Sequence, residues 1–388
     1  MPELDERLRL LQGQAHEWAA EMRPLALELD ADPDAVRRHL DLPAMSRVAT
    51  LQIPPEYTDD PLRIGPHRYY LMSALERVVF FEEGAWGDLG MMLASPGAPM
   101  AGVLVAALGS PQQQDYFFSR VQQKPTWTFF ALTEPAGGSD AVGLRTALTD
   151  TDDGRMRLDG AKRYVGNAVR GELGVVFARS GPGPLGLAAV VVDAAADGFK
   201  SEPLDTLGVR AAQIGGITLD SVLVPRERVL GTHLSATRRG MWGWLRTFHL
   251  LRPVVAIMGV GLARATYEYV RDNRSTLTSW DRDRLDAMAR RIEGVRRLTR
   301  RAAQTADHDP DDGHLGAAAK VAAARLACDC TRAALTFFPA GARLEHPLLD
   351  KLARDARSVE YMEGTTNVQR LGLFGTLSRR RLATVPEP

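Results

Sequence analysis

Cysteine is nearly absent from the chain: Cys328 and Cys330 are the only two in 388 residues. Two positions apart on a helix they point to roughly opposite sides, which excludes a local disulfide and a paired metal site and fits a reducing compartment. Net charge is missing too, because 48 basic and 48 acidic residues cancel, so no global field draws the protein to nucleic acid or to a membrane surface. The basic residues are nearly all arginine and are spread along the whole chain, a pattern of base composition before it is one of a functional surface. The longest apolar runs, "PVVAIMGVGLA" and "LGLAAVVV", fall well short of the ~18 residues of a membrane helix. The first residues, "MPELDERLRLLQGQ", are charged and amphipathic, with no apolar leader. A soluble cytoplasmic protein is expected, without nucleic-acid or membrane partners. The eight histidines show no HExxH or comparable spacing, so neither a structural nor a catalytic metal is expected.

What is present is an ordinary globular composition, 45% apolar and 25% charged, on a chain long enough for two or three domains. In the first third, "LDERLRLLQGQAHEWAAEM", "RYYLMSALERVVFFEEGAW" and "PMAGVLVAALG" carry apolar residues at three- and four-residue spacing, which predicts helices. The period then changes to two, or to short apolar runs, in "TWTFFALT", "RMRLDGAKRYV", "LGVVFAR", "LAAVVVD" and "GITLDSVLV", which predicts strands. Long helical patterns return with "GMWGWLRTFHLLRPVVAIMGVGLARATYEYVRDNR" and continue to the end. The expected organisation is an N-terminal helical domain over 1–124, a β domain over 125–235 and a C-terminal helical bundle over 236–388. "DHDPDDGH", residues 307–314, reads as an acidic, solvated loop between helices, since its carboxylates lack the EF-hand spacing.

Two stretches are candidates for chemistry. In "FFALTEPAGGSDAVGLRT", residues 129–146, a strand runs into a Gly-Gly-Ser-Asp turn whose hydroxyls and free N–H groups suit a phosphate or a polar ring; turn chemistry alone fits a plain Gly-rich turn as well. In "RSVEYMEGTTNVQR", residues 357–370, two glutamates stand three apart. If a helix starting near Leu349 continues to residue 363 at about 100° per residue, Leu349, Leu352, Ala353, Ala356 and Val359 set its apolar face, and Glu363 falls within ~10° of that face's centre. Glu360 then lies ~50° to one side, and Lys351, Arg354 and Ser358 point away. An inward carboxylate needs a partner or a raised pKa. It is either half of a buried ion pair or a base.

The first stretch, as "ALTEPAGGSD", resembles the signature of the acyl-CoA dehydrogenase family, and the likeness continues in register. "LDGAKRYVGNA" (158–168) is similar to the family's second flavin strand, "LGVRAAQIGGITLDSVLVPRERVLG" (207–231) to the segment closing its β domain, and "RPVVAIMGVGLARA" (252–265) to the first long helix of its C-terminal domain. "LDKLARDARSVEYMEGTTNVQR" (349–370) resembles the stretch holding its catalytic glutamate, and "IPPEY" and "LGSPQQQDYF" echo its N-terminal half. The resemblance implies an α+β fold: an N-terminal helical domain, a β-barrel-like middle sheet and a C-terminal four-helix bundle. It implies FAD held by Phe130, Leu132, Thr133, Gly138 and Ser139, with Tyr164 and Gly166 against the isoalloxazine ring. Read without the resemblance, Tyr164 is equally a core aromatic on a sheet face. Arg274, Gly341, Thr365 and Asn367 complete the implied cofactor contacts, Arg274 from a neighbouring subunit. Glu363 is implied as the base that removes the α-proton of an acyl thioester, with Arg252 ordering the site and Ser139, His249 and Gly364 beside the substrate. An electron-transfer flavoprotein or another acceptor and a homodimer or homotetramer are further implications.

The chain also departs from the family pattern. Gly166 replaces the hydroxyl residue that usually bonds the flavin N5 region, as in relatives acting on carrier-tethered substrates. "FFPAG" (337–341) stands in place of a Gly-Gly pair, His249 in place of an acidic residue, and Leu277 and Thr278 follow Arg274 where an aromatic and a glycine are usual. Leu251 occupies the other position where some members carry their base, which leaves Glu363. Dehydrogenation of an acyl thioester borne by CoA or by an acyl or peptidyl carrier protein is therefore the first expectation. A flavin oxidase or monooxygenase, and a non-catalytic paralogue, are the alternatives.

Overall fold

Helix signals in the first third are backed by end chemistry: Asp5 accepts the N–H of Leu8, and Ser110 and Gln113 form a capping box behind Pro111. In the computed structural model, which describes residues 4–138 and 143–383, this part comprises α1 (Glu6–Met22), α2 (Ala26–Ala31), α3 (Pro43–Ser46), α4 (Ala74–Ala94), α5 (Met100–Leu108) and α6 (Pro111–Gln123). It is not wholly helical. A hairpin of β1 (Leu62–Ile64) and β2 (His67–Tyr69) interrupts it, its strands too short to carry a period.

Seven strands follow: β3 (Thr128–Ala131), β4 (Ala147–Asp150), β5 (Met156–Val165), β6 (Leu173–Arg179), β7 (Leu187–Asp193), β8 (Phe199–Pro203) and β9 (Gly215–Val224). They form one sheet in the order β3-β6-β4-β5-β9-β8, with β7 on β6. Short β3 and β4 take successive stretches of β6, through Leu173–Val176 and Arg179, and β7 runs antiparallel along it. Apolar except for their last residues, Arg179 and Asp193, β6 and β7 are buried throughout apart from those two, as a two-sided core requires.

The third part consists of α7 (Met241–Asn273), α8 (Ser279–His308), α9 (His314–Leu335), α10 (Ala342–Glu345), α11 (Pro347–Asp355) and α12 (Thr366–Ala383). Alanine-rich α9 lets α7 pack closely, and α7 meets α4 at Gly261, where a Cβ would lie 2.3 Å from the Glu82 carbonyl oxygen. By length and composition α7 could cross a membrane, but 78% of its most apolar window is buried inside the protein. One apolar core joins the first and third parts, and two smaller ones flank the sheet.

The helix expected from Leu349 through Glu363 stops at Asp355; a 3-10 turn over Ser358–Glu360 follows, and Glu363 has φ +46°. Helical phase therefore does not orient Glu363. Lys351, expected to point away, is instead fully buried, its ammonium between Asp88 and Asp355. Asp88 sits at a break in α4 (φ −158°) and caps the next turn through the Met91 N–H, while Asp355 accepts the Val209 N–H at 2.6 Å. This buried triad ties all three parts together.

Candidate active site

Strand β3 leads into the turn carrying Leu132, Thr133 and Gly138, and the turn rests on a buried ion pair. Glu134 accepts the N–H groups of Arg145 (2.7 Å) and Thr146 (2.8 Å), the Thr146 hydroxyl (2.6 Å) and the Lys162 ammonium (3.0 Å). Burial would raise its pKa, but these donors hold the carboxyl at about 2. Lys162, lowered to about 8 by burial, also donates to the Leu132 carbonyl at 3.1 Å. Sequence reasoning missed both residues, yet a signal exists for one: the alternation in "MRLDGAKRYV" puts Lys162 on the same strand face as Met156 and Leu158, which is the buried one.

The Arg163 N–H donates to the Thr133 carbonyl at 2.9 Å, which sets Tyr164 beside the turn. Tyr164 takes φ +61° and is 63% exposed, so it is not a core aromatic. A Cβ built on Gly166 meets nothing within 4 Å, and one on Gly138 only Thr133 Cγ2 at 3.8 Å. Open space bounded by a flat aromatic and a polar turn fits a large planar ring system. Ser139 lies outside the described residues.

Behind this surface, aromatic contacts lead to α7. Phe130 packs at a tilt against Phe177 (5.2 Å between centroids) and Phe248 (6.1 Å), and the Arg252 guanidinium lies 5.7 Å from the Phe248 ring. Burial lowers the pKa of Arg252 to about 10, its Nε has no hydrogen-bond partner, and Glu363 is the charge that offsets this. His249, one turn earlier on the same face, donates its Nδ1–H to the Pro310 carbonyl (3.2 Å), which fixes Nδ1 as the protonated ring nitrogen. Burial first and Arg252 second push its pKa down. The loop expected over 307–314 is shorter, because α8 runs to His308 and α9 starts at His314, and it is not simply solvated: Asp307, on the last turn of α8, caps α4 through the N–H groups of Ala74 and Leu75, and Gly313 packs against the His249 ring. Among the described residues no three His, Cys, Asp or Glu side chains group as metal ligands.

The turn that carries Glu363 is tied on every side. Glu360 accepts the N–H and hydroxyl of Thr366 at the start of α12, Gln369 Nε2 donates to the Glu363 carbonyl at 2.9 Å, and Thr365 Oγ1 accepts the Val368 N–H at 3.4 Å. Gly364 takes φ +92°, a conformation costly for a side chain. The Glu363 carboxyl stays uncommitted: Oε2 is buried without a hydrogen-bond partner among the described residues. Burial lifts its pKa to about 7, against the opposing charges of Lys320 and then Arg252. Asn367 is exposed on the first turn of α12.

Arg274 and Gly341 do not join this group. Arg274 caps the far end of α7, 22 residues and so ~33 Å along the helix from Arg252, with its Nε buried and unpartnered. Gly341 is exposed at the start of α10, near that end, where Tyr269 meets Phe338 and His346.

The comparisons with known proteins agree with this geometry. Residues 129–222 match the acyl-CoA dehydrogenase middle domain and residues 238–374 the acyl-CoA dehydrogenase C-terminal domain. The chain is 29% identical over 64% of its length, and 66% of the relative's, to the probable acyl-CoA dehydrogenase fadE25 of Mycobacterium leprae. It is 28% identical over 71% of its length, and 68% of the relative's, to the mitochondrial short-chain specific acyl-CoA dehydrogenase of Mus musculus. Its fold superposes on butyryl-CoA dehydrogenase of Megasphaera elsdenii with a TM-score of 0.84 (24% identity; 97% and 99% of the two chains). The prolyl acyl carrier protein oxidase AnaB gives 0.82 (19%; 97% and 100%), and PigA, solved with FAD, 0.84 (17%; 98% and 100%). With the middle and C-terminal domains both matched and the fold shared over nearly the whole chain, the chain belongs to the acyl-CoA dehydrogenase family of FAD-dependent oxidoreductases acting on CH–CH bonds.

Proposed function

We propose that the protein oxidises an acyl thioester to its α,β-unsaturated form, with Glu363 as the base for the α-proton. The observation that carries this is the Glu363 carboxyl itself, buried at Oε2, unpartnered, and raised to about 7. A carboxylate in an ordinary ion pair would be held low. One poised near neutrality can accept a proton from a weakly acidic carbon and keep it. The chemistry FAD supplies when bound is acceptance of the β-hydride at N5, as the Cα–Cβ double bond forms. Thr133, Gly138, Tyr164 and Gly166 offer the surface for its ring, and Thr365 and Asn367 stand where its ADP half is expected. Arg252 keeps a fixed positive charge beside the base, and the Glu363 N–H is the expected donor to the thioester carbonyl.

The handle is CoA or a carrier protein. Open space at Gly166, where a side chain would meet nothing, and the likeness to the carrier-protein oxidase AnaB support the carrier. They also favour a second reading, an oxidase whose reduced flavin reacts directly with oxygen; otherwise an electron-transfer flavoprotein or similar acceptor takes the electrons. Anaerobic titration of the FAD-loaded protein with one acyl group on CoA and on a carrier protein tests the reading. One series should bleach the flavin, and air should restore the colour within seconds only for an oxidase. No bleaching by any thioester would sink the dehydrogenase reading and leave the non-catalytic paralogue.

A cytoplasmic homodimer or homotetramer completes the proposal. Leu371 and Phe374 on α12 are each 72% exposed, Leu344 88% and Trp280 70%, apolar area that a second copy would cover, and Arg274 needs a neighbour to reach a flavin. Light scattering of the purified protein decides it; a monomer contradicts it.

A further inference from the structure

The chain has only five lysines among its 48 basic residues, and three of them, Lys162, Lys320 and Lys351, are buried to 1% or less. Two are paired with carboxylates. Lys320, on α9, is not: its ammonium donates to two backbone carbonyls, Glu360 O (2.5 Å) and Gly364 O (2.7 Å). A fully buried ammonium held by carbonyls alone is an expensive arrangement, and those two carbonyls flank Glu363 on the turn that replaces the expected helix. We propose that Lys320 is a positioning residue for the reaction, its ammonium clamping the backbone on both sides of Glu363 so that the carboxyl is aimed into the site and kept ready to ionise. The proposal rests on Glu363 being the base.

The physical argument has two parts. A helix running on from α11 would bury these carbonyls in its own hydrogen bonds; here the chain leaves the helix, and the freed carbonyls need a donor. A compact ammonium with three N–H donors can serve both carbonyls from one point, whereas a guanidinium is longer and planar and would meet them in a different geometry. The second part is charge. Glu363 is faced by Lys320 from α9 and Arg252 from α7, with His249 one turn before Arg252, while the Glu360 carboxylate on the same turn is occupied by Thr366. The Lys320 charge favours the ionised carboxyl, so its removal should make the base harder to ionise.

FAD-loaded Lys320→Met and Lys320→Arg proteins test this by two readouts. In Lys320→Met the acid limb of kcat/KM for flavin reduction should move up by about one pH unit or more. Its kcat should fall about 10²-fold, with KM near wild type, as expected for a displaced catalytic group. Amide hydrogen exchange at Tyr361 and Thr366 should quicken about tenfold or more. Lys320→Arg should keep the wild-type limb, because the charge stays, and still lose kcat. A Lys320→Met protein with the wild-type limb, kcat and exchange rates overturns the proposal. If it does not fold, Lys320→Gln, a donor without the charge, must still show the raised limb, and an unmoved limb overturns the proposal equally. If no thioester reduces even the wild-type flavin, the functional reading fails by itself; the exchange comparison needs no substrate and still decides whether Lys320 holds the turn.

Discussion

Replacing Glu363 by glutamine should leave FAD bound and slow flavin reduction by a thioester about 10²- to 10⁴-fold, the usual range for loss of a positioned base. The isosteric amide fills the same space and cannot take the α-proton. Stability gives a second, independent signature. The carboxyl's pKa is raised from 4.5 to about 7 in the folded protein, so between those values the folded state holds a proton that the unfolded chain releases. The group's contribution to stability is full below pH 4.5 and is lost as pH rises through 7. At pH 8 Glu363→Gln should therefore melt at or above wild type, and at pH 5 the difference should shrink. A variant that loses FAD, or that is equally destabilised at both pH values, would mean that Glu363 is a structural anchor.

The largest effect on stability is expected at Lys351. Lys351→Met leaves Asp88 and Asp355 facing one another, both buried to 1% and without their cation. Removing one member of a buried ionic cluster typically costs about 3–5 kcal/mol, because the remaining charges cannot be rehydrated. Burial would lower the Lys351 pKa, but the two carboxylates raise it well above its ordinary value, so the ammonium is charged throughout the working pH range. The triad spans the break in α4, the end of α11 and the Val209 segment. Its loss should accordingly lower the denaturant midpoint of the whole chain. A midpoint within error of wild type would show that the three parts are held together elsewhere.

These two residues also mark where the sequence could and could not be read. Periodicity located the long helices and the strands β3, β5, β6, β7 and β9, because each has a buried face with a clear repeat. It missed β4 and β8: β8, "FKSEP", is almost entirely exposed and takes its place by pairing with β9. The error over 349–363 has a different cause. Nothing in the local pattern forbids a continuous helix there. The chain leaves the helix at Asp355, and groups remote in sequence, Lys320 among them, tie the turn beyond it; Lys351 lies within the helix, off its apolar stripe, and is drawn inward by Asp88 on α4 and Asp355. Glu363 was placed correctly as inward-facing, but by a left-handed residue in a turn and not by helix phase. Family resemblance singled it out as the candidate base; the structure adds that Glu360 beside it is engaged by Thr366 while Glu363 Oε2 has no partner among the described residues. Arg274 and Gly341 lie away from the site within one chain, at the far end of α7 and the start of α10; their implied cofactor contacts belong to the proposed oligomer.

The most direct test of the central claim is the pH dependence of kcat/KM for flavin reduction by the best thioester, which reports the ionisation of the free enzyme's base. The rate should rise with a single ionisation near 7 and level off above it, in line with the raised Glu363 carboxyl, and the rising limb should be absent from the residual activity of Glu363→Gln. A rate flat between about pH 5 and 8, or one falling only near the ordinary carboxylate value of about 4.3, would contradict the assignment of Glu363 as a buried, poised base.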